Sequence, residues 1–236
     1  MNKTVLITGA SRGIGWETAL LLASIYKYDV IALSRNSKQL ELLKNQAAIA
    51  GGTIHIFSHD FLNDDFSPII SFLRKNNINK LDILINNAGL LIKKQMAEMQ
   101  LSDLQNSYKV NVFSPYLLIR HLLPMLQQSS NAHVVNISSM GGYQGSAKFP
   151  GLSAYSSSKA AIANITECLA TELKPENIKI NCLCLGSVNT EMLKDAFPGY
   201  KAPLEPNEMA QYIARFADEA HLVMNGKIIP VALSTP

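Results

Sequence analysis

The stretch Thr4-Val5-Leu6-Ile7-Thr8-Gly9-Ala10-Ser11-Arg12-Gly13-Ile14-Gly15 decides the fold. It opens as an apolar, β-branched run of strand character and closes in a glycine-rich turn. A helical pattern follows directly, over residues 13–26. Gly9 lets the chain turn sharply, and Gly13 and Gly15 permit close backbone approach. A strand feeding a helix through such a turn is the first half of a βαβ unit.

The same alternation continues downstream. Strands are expected near residues 3–8, 29–34, 53–57, 81–86, 132–138, 178–184 and 227–231, and helices near 13–26, 37–50, 64–77, 101–128, 153–174 and 207–217. The strands are continuous hydrophobic runs, such as Val30-Ile31-Ala32-Leu33 and Ile83-Leu84-Ile85, as a parallel sheet covered on both faces requires. Right-handed crossovers then give an α/β fold, a three-layer doubly wound parallel sheet of about seven strands. No repeat, linker or low-complexity tract divides the chain, so one domain over residues 1–236 is expected.

Composition narrows the function classes. The 236 residues are 47% hydrophobic and 17% charged with a net charge of +3, which suits a globule and leaves no basic run to follow a nucleic acid. Cys168, Cys182 and Cys184 are spaced for neither a disulfide framework nor a zinc site. Cys182 and Cys184 lie two apart and would share one sheet face. No segment has the roughly 20 apolar residues of a membrane span. A strand begins almost at the N-terminus, which argues against a signal peptide. A cytoplasmic protein with reduced thiols and no metal site is expected.

Ligands of a doubly wound sheet bind beyond the carboxyl ends of its strands. After the first strand, the glycine turn presents a helix N-terminus, with free N–H groups and a positive dipole, to a pyrophosphate. The spacing is G-x-x-x-G-x-G rather than the commoner G-x-G-x-x-G, and a purely structural turn is the competing explanation. After the second strand, Ser34-Arg35-Asn36 stands where an NAD site usually offers an acid. Asp29 lies at the opposite end of that strand. Arg12 and Arg35 together can hold a 2′-phosphate, so NADP(H) is expected over NAD(H), although either arginine alone would pass for a surface residue. Asp60 follows the third strand, either to accept from an adenine amino group or to cap a helix. Asn86-Asn87-Ala88-Gly89 follows the fourth, where asparagines can tie strand ends together and small residues leave space beside a ribose.

The other end of the cleft carries candidate chemistry. Tyr155 and Lys159, four apart on a helix, share a face. A phenol ionises near pH 10, so acid–base work near neutrality with a three-unit shift asks for roughly 4 kcal/mol. A neighbouring ammonium and a positively charged nicotinamide are sources of that stabilisation. Ser138 and Ser139 end the fifth strand, and alternation favours Ser139 as the exposed hydroxyl. A turn-forming pair is the alternative. Pro115 has no N–H, so it cannot bond the Asn111 carbonyl four residues before it, which leaves that carbonyl for a water at a kink.

Jointly, Thr8-Gly9-x-x-x-Gly13-Ile14-Gly15, Asn86-Asn87-Ala88-Gly89, Asn111, Ser139 and Tyr155-x-x-x-Lys159 resemble the classical short-chain dehydrogenase/reductase family, in family order over residues 3–231. The resemblance implies a Rossmann-like, NADP(H)-dependent oxidoreductase, of carbonyl reductase type, acting between a carbonyl and a secondary alcohol. It implies Tyr155 as general acid/base, Lys159 as ribose holder that lowers the phenol pKa, Ser139 as carbonyl orienter and Asn111 as anchor of a relay water through its main-chain carbonyl. It implies cofactor contacts from Gly9, Ser11, Arg12, Gly13, Ile14, Gly15, Ser34, Arg35, Asn36, Asp60, Phe61, Asn87, Ala88, Gly89, Tyr155 and Lys159. The stretch Leu185 to Thr190 resembles the loop that holds the nicotinamide carboxamide, through Gly186, Val188 and Thr190. A homo-oligomer, tetramer or dimer, is implied, with the helices near 101–128 and 153–174 at one interface.

Three features depart from the family pattern. Leu185 replaces a usual proline. Fifteen residues separate Ser139 from Tyr155, more than is common, and the extra segment Tyr143 to Lys148 is expected to border the substrate. The segment Met192 to Asn207 and the C-terminus are short, and Ala232-Leu233 stands where many relatives carry Asp-Gly-Gly. Leu90, Leu91, Ile92, Met140, Tyr143 and Met192 are candidate pocket residues or ordinary packing. A non-catalytic NADP(H)-binding sensor or scaffold is the alternative function, and it would not need Ser139, Tyr155 and Lys159 together. A sugar-nucleotide epimerase or dehydratase would need a larger substrate domain than this chain has residues to build.

Overall fold

The computed structural model describes residues 2–233. Seven strands, β1 (Thr4–Thr8), β2 (Asp29–Ser34), β3 (Thr53–Ser58), β4 (Ile83–Asn86), β5 (His133–Ser139), β6 (Lys179–Leu185) and β7 (Ile228–Val231), form one sheet in the order β3-β2-β1-β4-β5-β6-β7. Every pairing is parallel. The order reverses between β1 and β4, which opens a crevice at their carboxyl ends.

Alternation along each strand feeds two separate cores. Val5 and Ile7 pack with Leu22 of α1 (Gly13–Ser24), Leu40 of α2 (Ser37–Ile49) and Ile213 of α8 (Pro206–Glu219). Leu6, between them, packs on the other face with Leu73 of α3 (Ser67–Lys75) and Leu122 of α5 (Ser114–Leu126), the face also covered by Leu169 of α6 (Ser153–Glu172). Both neighbours of a central strand residue are therefore apolar, and the expected three-layer, Rossmann-like architecture follows.

The helices differ in detail from expectation. The third helix begins at Ser67, not near 64, because Asp60, Asn63 and Asp65 accept from the N–H groups of Leu62, Asp65 and Ser67 in successive side-chain turns. The helical stretch near 101–128 is α4 (Leu101–Tyr108), a π-helical turn (Lys109–Phe113) and α5. Ser114 N–H donates to the Lys109 carbonyl five residues back. Pro115, just beyond, has no N–H to continue the four-residue ladder to Asn111. A short α7 (Glu191–Ala196) was not expected. Among the described residues no helix is long and apolar enough to cross a membrane.

Candidate active site

The crevice is a cavity of about 670 Å³ running across the carboxyl ends of the central strands. One end is the glycine turn. Gly9 takes a φ of 71°, and its N–H donates to the Leu33 carbonyl at 2.8 Å, which folds the turn against β2. Gly15 answers a different need. A Cβ there would fall 2.3 Å from the Gly9 carbonyl oxygen and 2.4 Å from Asn87 Nδ2, so only glycine fits. Asn87 Nδ2 donates to Thr8 O at 2.9 Å, and the Asn87 and Ala88 N–H groups donate to Thr8 Oγ1. The β4 loop is thereby bolted to the turn, and buried Asn86 ties β4 to β5 through Asn136.

Ser11, Arg12, Gly13, Ile14, Ser34, Arg35, Asp60 and Phe61 join Gly9, Gly15, Asn87, Ala88 and Gly89 in lining this half. Ser34 Oγ donates to Ser11 Oγ at 2.7 Å. Arg12 and Arg35 are both exposed, and neither guanidinium has an acidic partner among the described residues. Asp60 is held by its own turn and caps no helix. Asn36 departs from expectation. It lies outside the lining, and its side chain caps α2 by accepting from Gln39 N–H.

At the far end, Ser139, Tyr155 and Lys159 border the same cavity. The two neighbouring serines divide their roles. Ser138 is buried and donates to the Lys159 carbonyl at 2.6 Å, fastening α6 to β5. Ser139 Oγ accepts from Gly141 N–H, which leaves its own proton to give. Lys159 is buried, its Nζ 2.8 Å from the Ile137 carbonyl and 5.9 Å from the centre of the Tyr155 ring. Burial lowers this ammonium from 10.5 to about 8. In the chain without cofactor, burial pushes the Tyr155 phenol above its ordinary value, and a hydrogen bond with Ser139 offsets part of this. In the protein alone the lysine does not make this phenol acidic.

Asn111 is buried and does not line the cavity. Its side chain makes a reciprocal pair with the Leu90 main chain and donates to Ser158 Oγ, so it joins the β4 loop to α6 one residue from Lys159. Gly186, Val188 and Thr190 line the middle of the cavity, and the Thr190 hydroxyl caps α7 by accepting from Leu193 N–H. A Cβ on Gly186 would lie 2.7 Å from Ala232 Cβ, so the small residue in place of Asp-Gly-Gly packs against that loop.

Among the expected pocket residues, Leu90, Leu91, Met140 and Met192 line the cavity, and Ile92 and Tyr143 do not. The extra segment behaves differently from expectation. Ser146 and Lys148 donate to carbonyls of Met140 and Tyr143 within the segment, and Tyr143 packs beside Cys182 and Cys184. The loop is folded on itself, and Phe149 and Leu152 beyond it reach the cavity instead. Sequence reasoning missed Phe149, Leu193, Phe197 and Tyr200, whose apolar or aromatic character in loops carried no periodic signal.

Comparison with known proteins agrees with this arrangement. The sequence profile described as short chain dehydrogenase matches residues 3–201. The ketoacyl reductase HetN of Nostoc sp. is 33% identical over 188 residues, covering 80% of this chain and 64% of that relative's length. The structure of a short chain dehydrogenase from Salmonella enterica serovar Typhi has a TM-score of 0.87 at 28% identity, covering 98% of this chain and 96% of that one. A 3-oxoacyl (acyl-carrier-protein) reductase from Agrobacterium tumefaciens with NADP bound has a TM-score of 0.85 at 25% identity, covering 98% of this chain and 93% of that one. With most of its sequence under one family profile, the chain belongs to the short chain dehydrogenase family.

Proposed function

We propose that this oxidoreductase is NADP(H)-dependent and interconverts a carbonyl and a secondary alcohol, with Tyr155 as proton donor and acceptor. The observation that carries it is one cavity bordered at one end by the glycine turn with Arg12 and Arg35, and at the other by Ser139, Tyr155 and Lys159. One domain then carries both the cofactor and the substrate. The residues fit the cofactor. The α1 N-terminus comes within reach only because Gly9 and Gly15 have no side chain, and a Cβ at either would strike Ala88, Asn87 or the turn itself. Two exposed guanidiniums without acidic partners suit a 2′-phosphate. The NADP held by the Agrobacterium reductase supports this choice.

When bound, the cofactor supplies or accepts the hydride. The chain's own residues bind, orient and move the proton. Ser139, whose oxygen is already engaged by Gly141 N–H, donates its hydrogen to the substrate oxygen and fixes its position. Tyr155 delivers the proton to that oxygen in reduction. Lys159, anchored on the Ile137 carbonyl, holds a ribose hydroxyl and places a cation beside the phenol. The Asn111 main-chain carbonyl, in the π-helical turn, anchors a water that refills the tyrosine proton. The reductase names of HetN and the Agrobacterium protein support the carbonyl side of this reading. A homo-oligomer is proposed through α4, α5 and α6, where Phe113 is 53% and Tyr116 42% exposed.

Tyr155→Phe tests the assignment. Loss of a general acid/base lowers kcat by about 10²–10⁴-fold. NADPH affinity, read by fluorescence titration, should stay within about twofold because the ring remains. Affinity falling in step with rate would remove the tyrosine from the chemistry.

A further inference from the structure

Three loops distant in sequence meet over the reacting end. The lid, residues 190–203, leaves and returns at one point: Val188 bridges Leu204, Asn189 N–H donates to the Leu204 carbonyl at 2.8 Å, and Asn189 Nδ2 donates to Glu205. Such an excursion with joined ends is an Ω-type loop, free to swing unless its tip is fastened. Besides the Ser187–Tyr200 hydroxyl pair at 3.1 Å, a fastening to a separate loop comes from Lys93 between β4 and α4. Lys93 Nζ donates to the Ala196 carbonyl, the last residue of α7, at 2.8 Å, and lies 4.0 Å from the centre of the Phe197 ring.

The residues just beyond the extra segment supply the third side. Phe149 meets Phe197 edge-on, with centroids 6.3 Å apart. Gly151, at a φ of 81°, accepts from Lys94 N–H through its carbonyl, and a Cβ there would stand 3.2 Å from Lys93 Cγ. The glycine thus leaves the path along which the lysine stem reaches the lid. An ammonium that satisfies a helix-end carbonyl and an aromatic face together is a directional contact.

We propose that Lys93 is a specificity-determining residue. It latches the lid over the substrate end, so that the pocket takes a compact carbonyl compound with an apolar flank, an aryl or short branched alkyl ketone. The inference rests on the hydride-transfer reading for its substrate. Behind the latch the wall is Met140, Phe149, Leu152, Met192, Leu193 and Phe197, with no cation to receive a carboxylate or phosphate on the substrate. The acidic Glu191 belongs to the other end, its carboxylate 3.7 Å from where a Cβ on Gly13 would sit. Phe149 and Phe197 meet across this wall, and the lid that Lys93 fastens closes that flank of the pocket.

The test compares the parent chain with Lys93→Met, which keeps the stem and removes the charge, and Lys93→Arg, which keeps both contacts. Amide hydrogen exchange of the lid peptide is measured without ligand, with the β1 peptide as control. Lys93→Met should exchange about tenfold faster in the lid, the opening expected from one lost charge-assisted hydrogen bond, and be unchanged in β1. In NADPH-coupled assays the ratio of kcat/KM for acetophenone over 2-nonanone should fall about tenfold, mainly through the KM for acetophenone. Lys93→Arg should restore both. Unchanged lid exchange in Lys93→Met, or an unchanged substrate ratio, overturns the latch. A parent chain that prefers 2-nonanone overturns the substrate class and leaves hydride transfer standing. Turnover of neither ketone overturns the substrate class, and exchange then decides the latch separately.

Discussion

Replacing Lys159 by methionine should abolish turnover and yet stabilise the fold at neutral pH. The side chain is 4% exposed, and burial lowers its ammonium from 10.5 to about 8. At about 1.4 kcal/mol per pH unit, the folded chain holds that charge at pH 7 at a cost of about 3 kcal/mol, an upper bound once water in the cavity screens it. The sign follows from linkage. Between pH 8 and 10.5 the unfolded chain binds the proton more tightly than the folded one, so the parent gains stability as pH rises through that window. Methionine removes the charge and most nearly keeps the volume, but it leaves the Ile137 carbonyl without the Nζ donor, a loss of about 1 kcal/mol. The net at pH 7 is a gain of about 1–2 kcal/mol. By pH 10 the folded amine is largely neutral but the unfolded one is still mostly charged, so a penalty of about 0.8 kcal/mol remains, nearly offsets the lost hydrogen bond, and leaves the two chains about equally stable. Urea unfolding at 25 °C, at pH 7 and pH 10, reads both values. A stability difference between Lys159→Met and the parent that is the same at pH 7 as at pH 10 would refute the reasoning, because the ammonium would then be no burden on the fold.

Other perturbations probe the remaining parts. Arg35→Asp should cut the NADPH-over-NADH preference in kcat/KM by about 10–100-fold, the loss of one charged hydrogen-bonding group and the gain of a repulsive one; an unchanged ratio would mean that Arg35 reads no phosphate. Gly15→Ala puts a Cβ 2.3 Å from the Gly9 oxygen, so Tm should drop by about 5 °C and NADPH binding should weaken with it, and full affinity would show that the turn yields. His133 is buried, accepts from Asn181 and bonds the Ala217 carbonyl, and burial lowers it to about 4. Its neutral form is the folded one, so its contribution is complete above pH 6.5 and is lost as pH falls toward 4, by about 3 kcal/mol. Buried His59 and His221 act in the same direction. A urea midpoint that stays level between pH 6.5 and 4.5 would contradict this.

The strands and the cofactor turn were legible because backbone physics fixes them locally. A strand buried on two faces must be apolar at every position, and Val30 to Leu33 reads so without knowledge of its partners. Alternation separated Ser139 from Ser138: both border the cavity, but the Ser138 hydroxyl is spent on the Lys159 carbonyl. At Asn36 two uses, cap and ligand, present the same residue at the same strand end, and the structure shows the cap. The π-helical turn was only half visible: Pro115 announces a broken ladder but not how the five residues before it regroup. Lys93, Gly151 and Phe197 were invisible together, since each is ordinary in its own loop and only the tertiary fold brings them within 4.0 Å.

At the tyrosine, the chain without cofactor and the expected cofactor complex differ in sign. A cation one helical turn away favours a phenolate, yet Lys159 is buried and Tyr155 half-buried, and loss of water penalises each charged form: the phenol rises and the ammonium falls. Desolvation acts on each group in full, whereas their mutual attraction needs both to be charged at once. At neutral pH the chain alone therefore holds a protonated Tyr155 beside Ser139. That is the form a reductase requires, since the proton passed to a carbonyl oxygen must already be on the phenol. The oxidative direction needs the phenolate, and on this geometry the charge that stabilises it has to arrive with the oxidised cofactor. Under the proposed function, the chain without cofactor already carries on Tyr155 the proton that carbonyl reduction consumes.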